Sequence, residues 1–141
     1  MLDKGFIGTI ARLTLENIND CDFCRDSSYL LYVTSESLES DSQAIEFFIE
    51  IKEFGLITAL LENHGSDDII CFNTLNVLNR VVIGFQELIA SGCSFKPLFE
   101  SGLIETIGSI MEKSRDDSVI KFCRIFFKTV ADRSNTSSNN Y

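Results

Sequence analysis

The chain has no tryptophan, one proline and one histidine among its 141 residues. With Pro97 the only proline, and with few Asn-Gly or Asp-Gly pairs, it lacks the punctuation of a fold built from many short strands and tight hairpins. The lone histidine, His64, would have to serve as the base in any Ser-His-Asp or Cys-His chemistry. Its neighbours Asn63 and Gly65 form no nucleophile motif, and no Gly-rich phosphate loop follows a strand-like segment. Positive charge is scarce too: 12 lysines and arginines stand against 21 aspartates and glutamates, for a net charge of −9. Nucleic-acid binding needs clustered Lys and Arg, so this balance argues against it. No apolar run reaches the roughly 18 residues of a membrane-crossing helix. Met1-Leu2-Asp3-Lys4 also lacks the basic-then-apolar order of a signal peptide. The expectation is a non-catalytic cytoplasmic protein with no membrane or nucleic-acid partner.

What the chain does contain is 45% apolar residues, enough at this length for one core burying roughly two-thirds of the unfolded surface. Five cysteines (Cys21, Cys24, Cys71, Cys93, Cys123) are odd in number and scattered through apolar segments, which reads as buried free thiols in a reducing compartment. The charge is unevenly spread: residues 1–112 hold 18 acidic and 6 basic groups, and residues 113–141 hold 3 and 6. That asymmetry leaves room for a bipolar surface.

Helices should dominate. Ser40 and Gln43 fit a capping box opening an amphipathic helix through Ala44, Ile45, Phe47, Phe48, Ile49 and Ile51. Gly65-Ser66-Asp67-Asp68 can cap a second helix through Phe72, Leu75, Leu78, Val82 and Phe85. Ser114, Asp116 and Asp117 do the same for a third, through Val119, Phe122, Phe126 and Val130 on one face. Residues 134–141 are polar and aperiodic and read as a disordered tail.

A repeat runs through this pattern. The blocks beginning Gly5-Phe6-Ile7, Gly55-Leu56-Ile57 and Gly102-Leu103-Ile104 align, with glycines 50 and 47 residues apart. Each block is followed 12 to 15 residues after its glycine by an acidic turn (Asp20, Asp67, Asp116) and then by another helical stretch. Such units bury their apolar faces only against neighbouring copies, as in a helical solenoid. The three glycines themselves read as tight turns or close helix contacts.

On these blocks and acidic turns the chain, over about residues 1–133, resembles the armadillo family. That family's repeat has a Gly-Leu-Ile-type segment, an apolar helix, an acidic turn and a long helix lining a concave groove. HEAT-like and irregular α-solenoids are near neighbours. The resemblance implies an all-α superhelix of about three repeats that acts as an adaptor or scaffold for a protein or peptide segment. In peptide-binding members the groove helix carries an inward Trp and, four residues later, an Asn. Leu31 and Ser35, Asn76 and Arg80, and Ile125 and Thr129 stand at those places here, so recognition of nuclear-localisation signals does not carry over.

The helix faces do offer Asn73, Asn76, Asn79 and Arg80 on one helix and Lys121, Arg124 and Lys128 on the last. Asn76, Arg80, Lys121, Arg124 and Lys128 are therefore the candidate partner contacts, suited to an acidic or phosphorylated segment. An amphipathic helix also needs a polar side without any ligand. Cys21-Asp22-Phe23-Cys24 has the spacing of half a zinc site or of a redox pair, but no second pair accompanies it and His64 is 40 residues on. It reads as two core thiols at a helix start, with no metal or cofactor. His64 reads as part of an exposed turn, and Glu46, Glu50 and Glu53 as a wet surface.

Twelve phenylalanines, with the adjacent pairs Phe47-Phe48 and Phe126-Phe127, leave a second class of function open. A pair on one helix cannot face one core, so the second ring marks either an exposed interface or burial between two helix layers. The exposed case describes a homo-oligomer or a regulatory subunit of a larger assembly, for example a small-GTPase or cytoskeleton regulator.

Overall fold

A computed structural model describes residues 5–52, 54–84 and 102–138. Phe85, Cys93 and Pro97, as well as Glu53, lie outside the described residues. Among the described residues there are seven helices and no strand: α1 (Phe6–Glu16), α2 (Cys21–Glu36), α3 (Asp41–Glu50), α4 (Phe54–Asn63), α5 (Asp68–Gly84), α6 (Leu103–Lys113) and α7 (Asp117–Ser138).

The long helices start where local chemistry dictates. Asp20 accepts the Phe23 N–H at 3.0 Å, Asp67 that of Ile70 at 3.0 Å and Asp116 that of Val119 at 3.1 Å. Each thus satisfies a backbone donor that a helix start leaves unpaired, and its charge complements the helix dipole. Ser40 caps α3 through the Gln43 N–H at 3.2 Å, and the Gln43 side chain reaches back to the Glu39 N–H at 2.7 Å. Helix α7 meets no Gly or Pro stop signal and continues to Ser138, into the segment 134–141 read as a tail; residues 139–141 lie outside the described ones.

The glycines of the three blocks do not play one role. Gly5 (φ 97°) and Gly102 (φ 78°) cap α1 and α6 in the left-handed region. Gly55 instead lies in the first turn of α4, with nothing within 4 Å of where a Cβ would sit. The left-handed residue of that junction is Lys52, at φ 64°. Gly55 is thus neither a turn nor a close contact. Close approach falls at Gly65, where a Cβ would meet the Leu61 carbonyl oxygen at 2.9 Å and Ile110 of α6 at 3.3 Å. Gly55→Ala should raise stability by about 0.5–1 kcal/mol through helix propensity. Gly102→Ala should lower it by about 1 kcal/mol, because an L side chain strains that φ. Urea titrations of both variants check the contrast, and a loss of stability in Gly55→Ala would contradict it.

Packing builds two layers. Helix α4 contacts α1 and α6 in one; α5 contacts α2 and α7 in the other. Within each unit the first helix lies on the second, α1 on α2, α4 on α5 and α6 on α7, while α3 packs on α1 and α5. Helix α5 sits in the middle of its layer. Between Ile70 and Val82 only Phe72, Asn76 and Arg80 escape full burial, four residues apart and so on one stripe. The phenylalanine pairs resolve toward burial between layers: Phe47 and Phe48 are both buried, Phe126 is fully buried, and Phe127 is half-buried, 5.6 Å from it.

A face across the three long helices

Helices α2 and α5 run in the same direction. Cys21 and Arg25, at the start of α2, reach Asp67 at the cap of α5, while Arg80 near the end of α5 donates to the Leu38 carbonyl just past α2. The α2/α5/α7 layer therefore presents a broad outer face, away from α1, α4 and α6. A row of aromatic rings crosses it: Tyr29 to Tyr32 at 6.4 Å, Tyr32 to Phe72 at 5.8 Å, and Phe72 to Phe122 at 5.4 Å, all edge to face. Each such pair contributes roughly 0.5–1.5 kcal/mol beyond area burial. Tyr29 at the end of the row is 54% exposed, and Val33 and Ile69 flanking it are 46% and 57% exposed. Ile125, on the same side of α7, is also exposed.

The five expected contacts fall on this face in two groups. Asn76 and Arg80 share the stripe of Phe72, and both are held by the protein itself: Asn76 Nδ2 donates to the Phe72 carbonyl at 2.7 Å, and Arg80 to that of Leu38. The guanidinium thus ties α5 to the α2–α3 connection. Lys121, Arg124 and Lys128 are exposed along the outer side of α7.

Several residues read as surface turn out to be internal. Asn73 and Asn79 are buried on the two flanks of α5, donating to Ser28 Oγ at 3.2 Å and to the Phe122 carbonyl at 3.3 Å. A central helix has neighbours on both sides, so a polar residue beside its outer stripe meets a helix and not water. His64, expected in an exposed turn, is buried, with Nε2 2.6 Å from the Ile18 carbonyl. The turn that holds it packs on the corresponding turn of the preceding unit. Conversely Phe72, assigned to a core stripe, lies on the outer stripe of α5, whereas Phe122 is half-buried, packed both on the core and on the Phe72 ring. Tyr29, Tyr32 and Val33 had an available signal, since their i, i+3, i+4 spacing marks an apolar stripe on α2.

At the junction of the first two units, Asp67 gathers several donors. Its Oδ2 accepts from Arg25 Nε at 2.8 Å and from Cys21 Sγ at 3.3 Å, and Arg25 Nη2 lies 2.7 Å away. Burial by itself would raise the Asp67 carboxyl; the bonds from the Ile70 N–H, Arg25 and Cys21 outweigh it and hold the group below the usual carboxylate value. The hydrogen bond to Asp67, with burial added, raises the Cys21 thiol. Burial pushes Cys24 and Cys123 up to about 11 and Cys71 up to about 12. Cys24 and Cys71 each stand four residues past a capping aspartate and turn back to the preceding loop, to the Ile18 carbonyl at 3.5 Å and the Gly65 carbonyl at 3.4 Å. A raised thiol is a poor nucleophile and a poor metal ligand at neutral pH.

Among the described residues no cluster of three or more His, Cys, Asp or Glu is placed to hold a metal, and no helix is long and apolar enough to cross a membrane. A cleft of about 680 Å³ opens between the α4–α5 and α6–α7 turns, where Glu62, Asp68 and Glu105 mix with Lys113 and Arg115. All five are exposed. No protein-family model fits the chain, and no curated protein or solved structure is significantly similar to it.

Proposed function

We propose that the chain is a non-catalytic protein-interaction module, an armadillo-like helical solenoid that binds a segment of a partner protein across the outer face of α2, α5 and α7. The observation that carries this reading is the aromatic row from Tyr29 to Phe122, because it joins three helices and its partly buried rings run at the surface beside the exposed Tyr29, Val33, Ile69 and Ile125. Contiguous apolar surface of this kind, rimmed by charge, is how soluble proteins recognise other proteins.

Support for the superhelix comes from the thrice-repeated order of first helix, capping aspartate and long helix, and from its two-layer stacking. Protonated, buried thiols favour a reducing compartment and hence the cytoplasm. The bound segment combines apolar anchors for the aromatic row with acidic residues that reach Lys121, Arg124 and Lys128 on α7.

A random peptide library panned on the folded chain tests the reading. Selected peptides should carry aromatic or aliphatic anchors next to Asp or Glu. Tyr32→Ala combined with Phe72→Ala should weaken them more than about tenfold, that is by over about 1.4 kcal/mol. Lys121→Glu, Arg124→Glu and Lys128→Glu together should do the same with no fall in melting temperature, because those side chains are exposed. Undiminished affinity in both variants would remove the face from consideration.

A further inference from the structure

The turns at the starts of the long helices meet twice along the chain, and the two meetings differ. Between the first two units the α1–α2 turn is tied to the α4–α5 turn: His64 Nε2 lies 2.6 Å from the Ile18 carbonyl, and Asp67 accepts from Arg25 and Cys21. Between the second and third units the α4–α5 and α6–α7 turns part over the cleft of about 680 Å³. The residue types explain the difference. Counted from each capping aspartate, Cys21 and Arg25 of the first unit correspond to Asp68 and Phe72 of the second, and His64 of the second corresponds to Lys113 of the third. An ionised Asp68 has no proton to donate to Asp116. Phe72 turns instead to the Phe122 ring at 5.4 Å, and Lys113 stays exposed. The side chains that tie the first junction are thus replaced at the second, which stays open.

The cleft has an apolar floor and two ends of opposite charge. Leu61 and Ile110, both buried, form the floor, and the units touch there where Gly65 comes within contact of Ile110. Glu62 and Glu105 lie at the α6 start; the Glu62 carboxylate is 3.9 Å from where a Cβ of Gly102 would sit. Lys113 and Arg115 lie at the other end, where α6 gives way to α7. Asp68 lines the α5 wall, in the first turn of that helix, while Glu112 and Asp117 are outside the lining. None of the five lining charges is held by an ion pair among the described residues.

We infer that this cleft is a second binding site, for an extended peptide segment that carries a cationic and an anionic side chain four residues apart with an apolar residue midway. Glu105 and Lys113 stand eight residues apart on α6, which at 1.5 Å per residue is about 12 Å. In an extended chain residues i and i+4 are about 13 Å apart and point to the same side, as does residue i+2. The cation then reaches Glu62 and Glu105, the anion reaches Lys113 and Arg115, and the middle side chain meets Leu61 and Ile110. A segment of uniform charge satisfies one end and is repelled by the other. The site lies at the turns and not on the outer face of α2, α5 and α7, so it does not rest on the reading above.

The test is a titration of the isotope-labelled full chain with capped pentapeptides, followed by amide chemical shifts. Capping removes the terminal charges, so only the side chains act. The probes are Lys-Ser-Leu-Ser-Glu and Glu-Ser-Leu-Ser-Lys, one for each chain direction, with Lys-Ser-Leu-Ser-Lys and Glu-Ser-Leu-Ser-Glu as uniform-charge comparisons. The better of the two mixed-charge peptides should shift the amides of Ser66, Ser109 and Ser114 saturably and bind at least about tenfold tighter than either comparison. Lys113→Glu with Arg115→Glu should transfer the preference to the peptide with two lysines. Glu62→Lys with Glu105→Lys should transfer it to the peptide with two glutamates; because the Glu105 carboxylate also favours the α6 start, Glu62→Lys by itself provides a milder variant with a shift in the same direction. All four side chains are exposed, so melting temperatures should stay close to that of the wild type.

Absence of saturable shifts at the cleft with every peptide overturns the inference, as does equal affinity for mixed and uniform charge, or a preference that the charge reversals leave unchanged. Shifts confined to Tyr32 and Phe72 overturn the cleft site and leave the outer-face reading standing. Cleft shifts that survive Tyr32→Ala with Phe72→Ala support the cleft site whatever becomes of that face.

Discussion

Phe126→Ala is expected to destabilise the chain by about 3–5 kcal/mol, the range for removing a fully buried phenylalanine. Phe126 is 0% exposed and lies in α7 among Val119, Cys123 and Val130. It also stacks edge to face on Phe127 at 5.6 Å. Truncation removes apolar surface from the core and leaves a void that helices fixed by their own hydrogen bonds cannot close. Domains of this size are stable by only about 5–15 kcal/mol, so the variant should sit close to unfolding at room temperature. Phe126→Leu keeps most of the volume and gives a graded, measurable step. Phe127→Ala is the internal comparison: half-buried, on the same helix and of the same chemistry, it should cost clearly less. Urea unfolding followed by far-UV circular dichroism reads all three, and equal losses for Phe126→Ala and Phe127→Ala would contradict the packing described.

Asp67→Ala should cost about 2–3 kcal/mol, more than an ordinary helix cap. The cap to the Ile70 N–H accounts for about 0.5–2 kcal/mol of this. The rest arises because Arg25 and Cys21 lose their shared acceptor at the junction of two units. Arg25 is 44% exposed and can turn to water, so its ion pair by itself contributes under about 1 kcal/mol. Asp20→Ala removes a cap of the same geometry whose carboxylate has no cross-unit partner among the described residues, and so measures the cap alone.

Acid should reproduce the loss in the wild-type chain. Because the folded-state value of Asp67 lies below its unfolded value, the stabilisation is complete above the unfolded value of about 4 and disappears as pH falls through the lower folded value. The Asp67→Ala variant should therefore show a shallower decline in stability below about pH 4 than the wild type. Parallel declines would mean that other carboxylates govern acid unfolding.

The legible parts of this fold are those set by a few consecutive residues. Asp20, Asp67 and Asp116 could be recognised as helix starts because a cap depends on one side chain and the backbone three residues on. The helical class followed from apolar spacing and from the shortage of proline and hairpin turns. Gly5 and Gly102 could be read as turns, but Gly55 could not be told from them, since a left-handed residue at Lys52 does that work three positions earlier. Sequence similarity between blocks does not specify which residue of a junction takes the positive φ.

The candidate face was legible only in part. Lys121, Arg124 and Lys128 were identified as an exposed basic stripe from their spacing, and they are exposed. Asn76 and Arg80 lie with Phe72 on the half-buried outer stripe of α5. The same reasoning put Asn73 and Asn79 beside them in solvent, where the structure buries both. Whether a polar residue faces water depends on the helices packed to either side, and those come from segments about 45 residues away in the chain.

The sequence by itself determined the helical class and the starts of the long helices, because hydrophobic period and cap chemistry act over single turns. Only the tertiary structure decided that α5 lies between α2 and α7. That arrangement turned Asn73 and Asn79 inward and brought Phe72 outward between Tyr32 and Phe122, while the packing of the α4–α5 turn on the α1–α2 turn buried His64. The physical reason is that burial belongs to a pair of surfaces. A helix can specify its own apolar stripe, but which of its remaining sides stays in water is decided by the neighbours that stack on it.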